Sequence, residues 1–144
     1  TTILNTEECE SIVDAADSYI QSWAYWDSNF FDKKTGNLNN QIVDLFSRVY
    51  PIATNGIPIS IEYNATTKEF NYTFSMNLDN EEKAKLSTEI YIPPQIYSNG
   101  FEVIVSKHLK WVYRSEPDNR VYVYLNETYL NMFKNRQNKN NNYR

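Results

Sequence analysis

Ile57-Pro58-Ile59-Ser60-Ile61-Glu62-Tyr63, the turn Asn64-Ala65-Thr66-Thr67-Lys68-Glu69, and Phe70-Asn71-Tyr72-Thr73-Phe74-Ser75-Met76-Asn77-Leu78 form one continuous stretch of this chain. Both outer segments place an apolar or aromatic residue at every second position, the period of a strand with one buried face. The Asn, Ala, Thr and Lys between them are turn formers, so the stretch predicts a β-hairpin.

The same grammar continues downstream. Residues 80–87 are charged and polar and predict a loop or a single helical turn. Ile90 and Ile92 lead to Pro93-Pro94, which ends a strand. Asn99-Gly100 is a turn signal ahead of Phe101, Val103 and Val105. Trp111 to Tyr113 and Val121 to Leu125 flank the turn Glu116-Pro117-Asp118-Asn119. Six short strands at regular spacing predict a small antiparallel β-sandwich over residues 49–130. Beyond Met132 the chain turns to Asn, Lys and Arg, a composition that predicts a polar, disordered tail over 131–144.

Upstream of Pro51 the period changes. Cys9, Ile12, Val13, Ala16, Tyr19 and Ile20 recur at intervals of three and four, an amphipathic helix over 5–20. Asn5 and Glu8 have the spacing of a capping box. Ser22-Trp23-Ala24-Tyr25-Trp26 is too short for a helix and reads as a buried strand. After a polar connection, Ile42, Val43, Leu45, Phe46 and Val49 predict a second helix from about Asn39. Helix, buried strand and helix make half of an α/β unit, and the expected neighbours of that strand are absent from the chain. The sequence opens Thr1-Thr2-Ile3-Leu4 without a Met, and we read it as a piece of a longer protein.

Composition narrows the chemistry. Of 144 residues, 41% are hydrophobic and 22% charged, enough for a packed core. The net charge of −4 argues against a nucleic-acid groove. One cysteine, Cys9, excludes an internal disulfide and a cysteine-built zinc site, and reads as a small core hydrophobe. One histidine, His108, rules out a His-rich metal cluster, and its place in Lys107-His108-Leu109-Lys110 suggests a surface hairpin loop. No metal ligand set and no cofactor is expected, and no apolar run reaches the roughly 18 residues of a membrane helix. The sequons at Asn64, Asn71 and Asn126 are about as many as an Asn-rich chain contains by chance.

The carboxylates are weak candidates for acid–base work. Glu116-Pro117 superficially resembles the Asn-Glu-Pro acid/base signature of retaining glycosidases, but Ser115 stands where the Asn belongs and the site is a turn. Thr88-Glu89 resembles a Thr-Glu nucleophile, yet Ile90-Tyr91-Ile92 continues it as a strand. The basic tail from Lys134 to Arg144 is diluted with Asn and reads as a solvated end. Trp26 is the most suggestive residue. An aromatic at the C-terminal end of a barrel strand faces the active-site mouth, and indole packs well on the C–H face of a sugar. Composition by itself leaves Trp23 and Trp26 as core residues.

Several segments together resemble glycoside hydrolase family 5 enzymes of the endoglycoceramidase type. Ser22-Trp23-Ala24-Tyr25-Trp26 is similar to their eighth barrel strand. Arg48-Val49-Tyr50-Pro51-Ile52-Ala53-Thr54-Asn55-Gly56 resembles the Arg-x-Tyr-Pro-x-Ala-x-x-Gly junction after the last helix. Thr88-Glu89-Ile90-Tyr91-Ile92-Pro93 and Tyr97-Ser98-Asn99-Gly100-Phe101-Glu102-Val103 look like two strands of the C-terminal β-sandwich.

The resemblance implies a mixed fold: the last helix, strand and helix of a (β/α)₈ TIM barrel over 1–48, then the antiparallel β-sandwich. It implies a retaining β-glycosidase acting on glycosphingolipids or related β-glucosides, extracellular or lysosomal. Both catalytic glutamates would precede Thr1, so no catalytic residue is assigned within the chain, and the chain alone is expected to be inactive. Trp26 carries over as a substrate-binding residue lining the sugar subsite, with Asp27 beside it. The rest of the barrel would come from the missing upstream part of the same protein or from a partner chain. The competing reading is a stand-alone β-sandwich that binds lipid or carbohydrate through aromatics such as Tyr91, Tyr97 or Tyr113.

Overall fold

The computed structural model describes residues 6–26 and 30–141. The Asn5 cap and Asp27 lie outside the described residues. Four helices and six strands follow in the order α1 (Thr6–Ser18), α2 (Asn40–Phe46), β1 (Tyr50–Ala53), β2 (Gly56–Tyr63), β3 (Phe70–Met76), α3 (Glu81–Ala84), β4 (Thr88–Tyr91), β5 (Leu109–Arg114), β6 (Arg120–Leu125) and α4 (Glu127–Asn141).

The β region is a small antiparallel assembly of two sheets, one ordered β1-β4-β6-β5 and the other the β2-β3 hairpin. Alternation sets the faces. On β6, Val121, Val123 and Leu125 are buried, and Arg120, Tyr122 and Tyr124 point the other way. Val49, Tyr63, Ile92, Val121 and Val123 make the core between the sheets, with Phe70 and Phe74 of β3 packed onto it. The hairpin turn is held by Asn64, whose Oδ1 accepts from Thr66 N and Thr67 N at 2.9 Å. Asn64 and Asn71 are exposed.

One side of β2 is not where unbroken alternation would put it. Pro58 pairs with Phe74, but Ser60 pairs with Thr73, so Ile59 is the extra residue of a bulge. The bulge turns Ile57 outward, 70% exposed, while Ile61 and Tyr63 still face inward across from Tyr72 and Phe70.

The predicted strand over Phe101, Val103 and Val105 forms no ladder. Those three side chains pack on the core and their neighbours are exposed, yet residues 101–105 make no backbone–backbone hydrogen bond. Alternation records which side faces the core and is silent on pairing.

The predicted strand at 22–26 is also corrected. Residues 21–25 have no regular structure, and Trp23 and Trp26 are exposed. A strand buried on both faces needs hydrogen-bonding neighbours at both edges, and none lies beside it among the described residues. The apolar stripe of α1 is likewise largely uncovered: Val13 is buried, Cys9 and Ala16 are half-buried, and Ile12, Tyr19 and Ile20 are exposed. The described residues therefore show the two helices but not the strand of a helix–strand–helix barrel unit.

The tail is the remaining correction. From Glu127 the chain is helical to Asn141, capped by Asn126, whose Oδ1 accepts from Tyr129 N at 3.0 Å. Lys134 Nζ reaches Glu81 Oε1 of α3 at 3.1 Å. A polar composition allows a helix when one end is capped and one side is docked.

Candidate functional site

Trp26 stands at the edge of an aromatic cluster built on the last turn of α2. Phe46 is the hub: the rings of Tyr25, Trp23 and Phe30 lie 4.6, 5.3 and 6.0 Å from it. Ile42 and Leu45 are buried, so α2 carries Phe46 on an anchored helix. Trp26 takes no part in the cluster and is 95% exposed. That corrects the composition-based reading of Trp26 as a core residue, while Trp23, at 39% exposed, covers Phe46 from one side.

The loop that follows is held by one carboxylate. Asp32 Oδ1 accepts from Thr35 N at 2.7 Å, Thr35 Oγ1 at 2.9 Å and Lys34 N at 2.9 Å. These hydrogen bonds, the Thr35 N–H foremost, hold the Asp32 carboxyl below its ordinary range. Gly36 takes a φ of 72°, and Phe31 bridges Leu38.

Arg48 joins this N-terminal part to the sheets. Its side chain is 5% exposed, with Nη2 at 2.6 Å from Asp14 Oδ1 and 2.9 Å from Asp17 Oδ2 of α1. The guanidinium lies 4.7 Å from the ring centre of Tyr63 on β2. Burial pushes the Asp17 carboxyl up, and the attraction of Arg48 opposes that without cancelling it. No residue-spacing rule pairs positions 14, 17 and 48, and the sequence reading missed this junction.

The candidate carboxylates have structural places. Glu89 Oε2 accepts from Arg120 Nη1 at 2.9 Å across β4 and β6. Glu116 is exposed in the turn before β6. His108 is not a free surface residue: its ring centre lies 3.5 Å from that of Tyr129 on α4, and its Nδ1 is buried without a hydrogen-bond partner. Among the described residues, no three or more His, Cys, Asp or Glu side chains are grouped to hold a metal. No described helix is long and apolar enough to cross a membrane.

The three tyrosines of the binding-module reading divide. Tyr97 and Tyr113 pack on the core between the sheets, and Tyr97 donates its hydroxyl to Lys68 O at 2.6 Å. Burial pushes the Tyr97 hydroxyl up to about 12. Tyr91 instead faces outward, its ring 5.4 Å from that of Tyr50. Between β3, the 101–106 segment and the inner face of β6 lies a cleft of about 830 Å³ with a mixed apolar and polar lining.

A family model described as "Glycoside hydrolase family 5 C-terminal domain" matches residues 48–132. No curated protein sequence matches the chain.

Proposed function

The chain belongs to the glycoside hydrolase family 5 C-terminal domain family over residues 48–132, and on that premise we propose that it is the C-terminal part of a retaining β-glycosidase similar to endoglycoceramidases. In this reading residues 1–48 complete a (β/α)₈ barrel and 49–130 are the sandwich that packs on it. Both catalytic carboxylates lie ahead of Thr1. The single observation that carries the reading is where the match begins: at Arg48, the buried residue that clips α1 to β2.

The chemistry follows from that placement. A retaining enzyme sets two carboxyl groups about 5–5.5 Å apart. One attacks the anomeric carbon while the other protonates the leaving oxygen, and water then releases the sugar from the covalent glycosyl-enzyme. This chain's contribution is binding. Trp26 offers an uncovered indole face to a sugar ring, beside a cluster anchored by Phe46, and Asp27, the next residue in the chain, is assigned to substrate binding by the family resemblance. The exposed stripe of α1, Ile12, Tyr19 and Ile20, and the unpaired 21–26 segment are the surfaces the rest of the barrel covers, whether from the same polypeptide or from a partner chain. The substrate class is glycosphingolipids or related β-glucosides, in an extracellular or lysosomal setting.

The cleft of about 830 Å³ between the sheets favours a second reading, a stand-alone sandwich that binds lipid or carbohydrate. One pair of assays separates the two. With a fluorogenic β-glucoside and a short-chain glycosylceramide, the chain alone should give only the background rate, and the longer protein carrying it should turn over. Turnover by the chain alone that is lost in Glu89→Gln or Glu116→Gln contradicts the proposal.

A further inference from the structure

The strand registers place four outward residues in one row across the four-stranded sheet. Tyr50 of β1 is opposite Tyr91 of β4, Tyr91 is opposite Arg120 of β6, and Arg120 is opposite Arg114 of β5. All four lie on the face away from the core, because Ile90, Val121 and Tyr113 beside them pack inward. Three interstrand spacings make the row about 14 Å long.

Its two halves differ in chemistry. The Tyr50 and Tyr91 rings pack at 5.4 Å, and Tyr50 is half exposed. At the other end two guanidinium side chains stand on directly paired residues, an arrangement that repels. Glu89 compensates Arg120 through one Nη, while Arg120 Nε is buried with no hydrogen-bond partner. Arg114 lies 4.8 Å from the ring centre of Tyr122, and no carboxylate pairs with it among the described residues. A chain of net charge −4 thus carries on this sheet face one arginine, Arg114, without a carboxylate partner among the described residues, beside an arginine with a single one and next to flat aromatic rings.

We propose that this row binds an acidic glycan, with Tyr50 and Tyr91 stacking a sugar ring and Arg114 and Arg120 sharing its carboxylate. A planar guanidinium matches a carboxylate in a two-pronged hydrogen bond, and an anion between the two arginines removes their mutual repulsion. The choice of a sugar rests on the glycosidase reading above. The preference for an anion rests on Arg114, which has no carboxylate partner among the described residues and stands opposite Arg120, whose single partner is Glu89. The row is distinct from the Trp26 rim, and it supplies affinity rather than chemistry.

The test uses the full chain and isothermal titration calorimetry, with a β-linked gluco-oligosaccharide ending in glucuronate and its neutral counterpart ending in glucose. The acidic probe is expected to bind at least about tenfold tighter than the neutral one, a factor that corresponds to 1.4 kcal/mol. Arg114→Gln and Tyr50→Ala should each weaken it severalfold without moving the thermal midpoint, since both side chains lie on the outer face. Each of these results overturns the proposal: equal affinity for both probes, no binding of either, binding indifferent to Arg114→Gln, or inorganic sulfate binding as tightly as the glycan. Tighter binding of a single-stranded oligonucleotide than of the acidic glycan overturns it too. A longer protein that fails to cleave β-glucosides would sink the glycosidase reading and leave this binding result standing; lost binding would leave hydrolysis untouched.

Discussion

Arg48 Nη2 sits 2.6 Å from Asp14 Oδ1, and through that pair a buried arginine ties the first helix to the sheets. Asp17, 18% exposed, sits on the same nitrogen at 2.9 Å. Removing the arginine leaves a partly buried carboxylate without its cation, a loss of about 3 kcal/mol. Arg48→Ala should therefore lower the thermal midpoint clearly. The penalty should shrink as the pH falls toward the carboxylate range. An unpaired Asp17 in the folded state has a pKa above its unfolded value, so the ionised form is what destabilises, and protonation relieves it. Melting curves at neutral and mildly acidic pH check both statements.

Gly56 opens β2 with a φ of 135°, and a Cβ there would stand 1.9 Å from Ser75 O and 2.9 Å from Asn77 N. Both obstacles are backbone, so no side-chain shift makes room. Gly56→Ala should cost about 2 kcal/mol or more, read as a fall in the denaturant midpoint.

Asn55 is buried beside the same turn and holds three segments together. Its Nδ2 donates to Lys83 O and Leu86 O at 2.9 Å, and its N–H donates to Thr88 Oγ1 at 3.0 Å. Asn55→Ala leaves the carbonyls of Lys83 in α3 and of Leu86 just after it without that donor, at a cost of about 2 kcal/mol. Amide exchange of residues 83–88 should quicken in the variant.

The half-buried Tyr97, whose hydroxyl is bonded to Lys68 O, predicts an alkaline limb. In the folded protein it keeps its proton to about 12, against 10.0 for an ordinary tyrosine. The unfolded chain releases that proton first, so the contribution is whole below pH 10 and is lost as the pH climbs toward 12. Stability measured across that interval should fall less steeply in Tyr97→Phe. An identical slope in both proteins would contradict the assignment.

Trp26 separates binding from folding. At 95% exposed, its replacement by Ala should leave stability within about 0.5 kcal/mol. In the longer protein the same change should lower kcat/KM for a β-glucoside by about tenfold, equivalent to 1.36 kcal/mol of lost transition-state binding.

The β region was legible because strand alternation, the Asn64 turn and Pro93-Pro94 are local signals. The family was legible from short motifs around Arg48 and Thr88. What escaped the sequence depended on pairing. Ile57 alternates correctly, yet a bulge at Ile59 turns it outward. Residues 101–106 alternate like a strand and find no ladder. Trp23 to Trp26 reads as a buried strand, but burial needs neighbours at both edges. The α4 helix was hidden by its polarity, although Asn126 and Glu127 mark a helix start. The Arg48 junction and the Tyr50–Tyr91–Arg120–Arg114 row join residues far apart in sequence, and only the fold brings them together.

The most direct test of the central claim is the intact mass of the native protein, with the peptide ahead of Thr1 identified. A C-terminal part of a retaining glycosidase requires a mass well above 17.0 kDa, with most of a barrel of about 250 residues and two catalytic glutamates upstream. A native mass of 17.0 kDa, with no associated chain to supply the barrel, would contradict it.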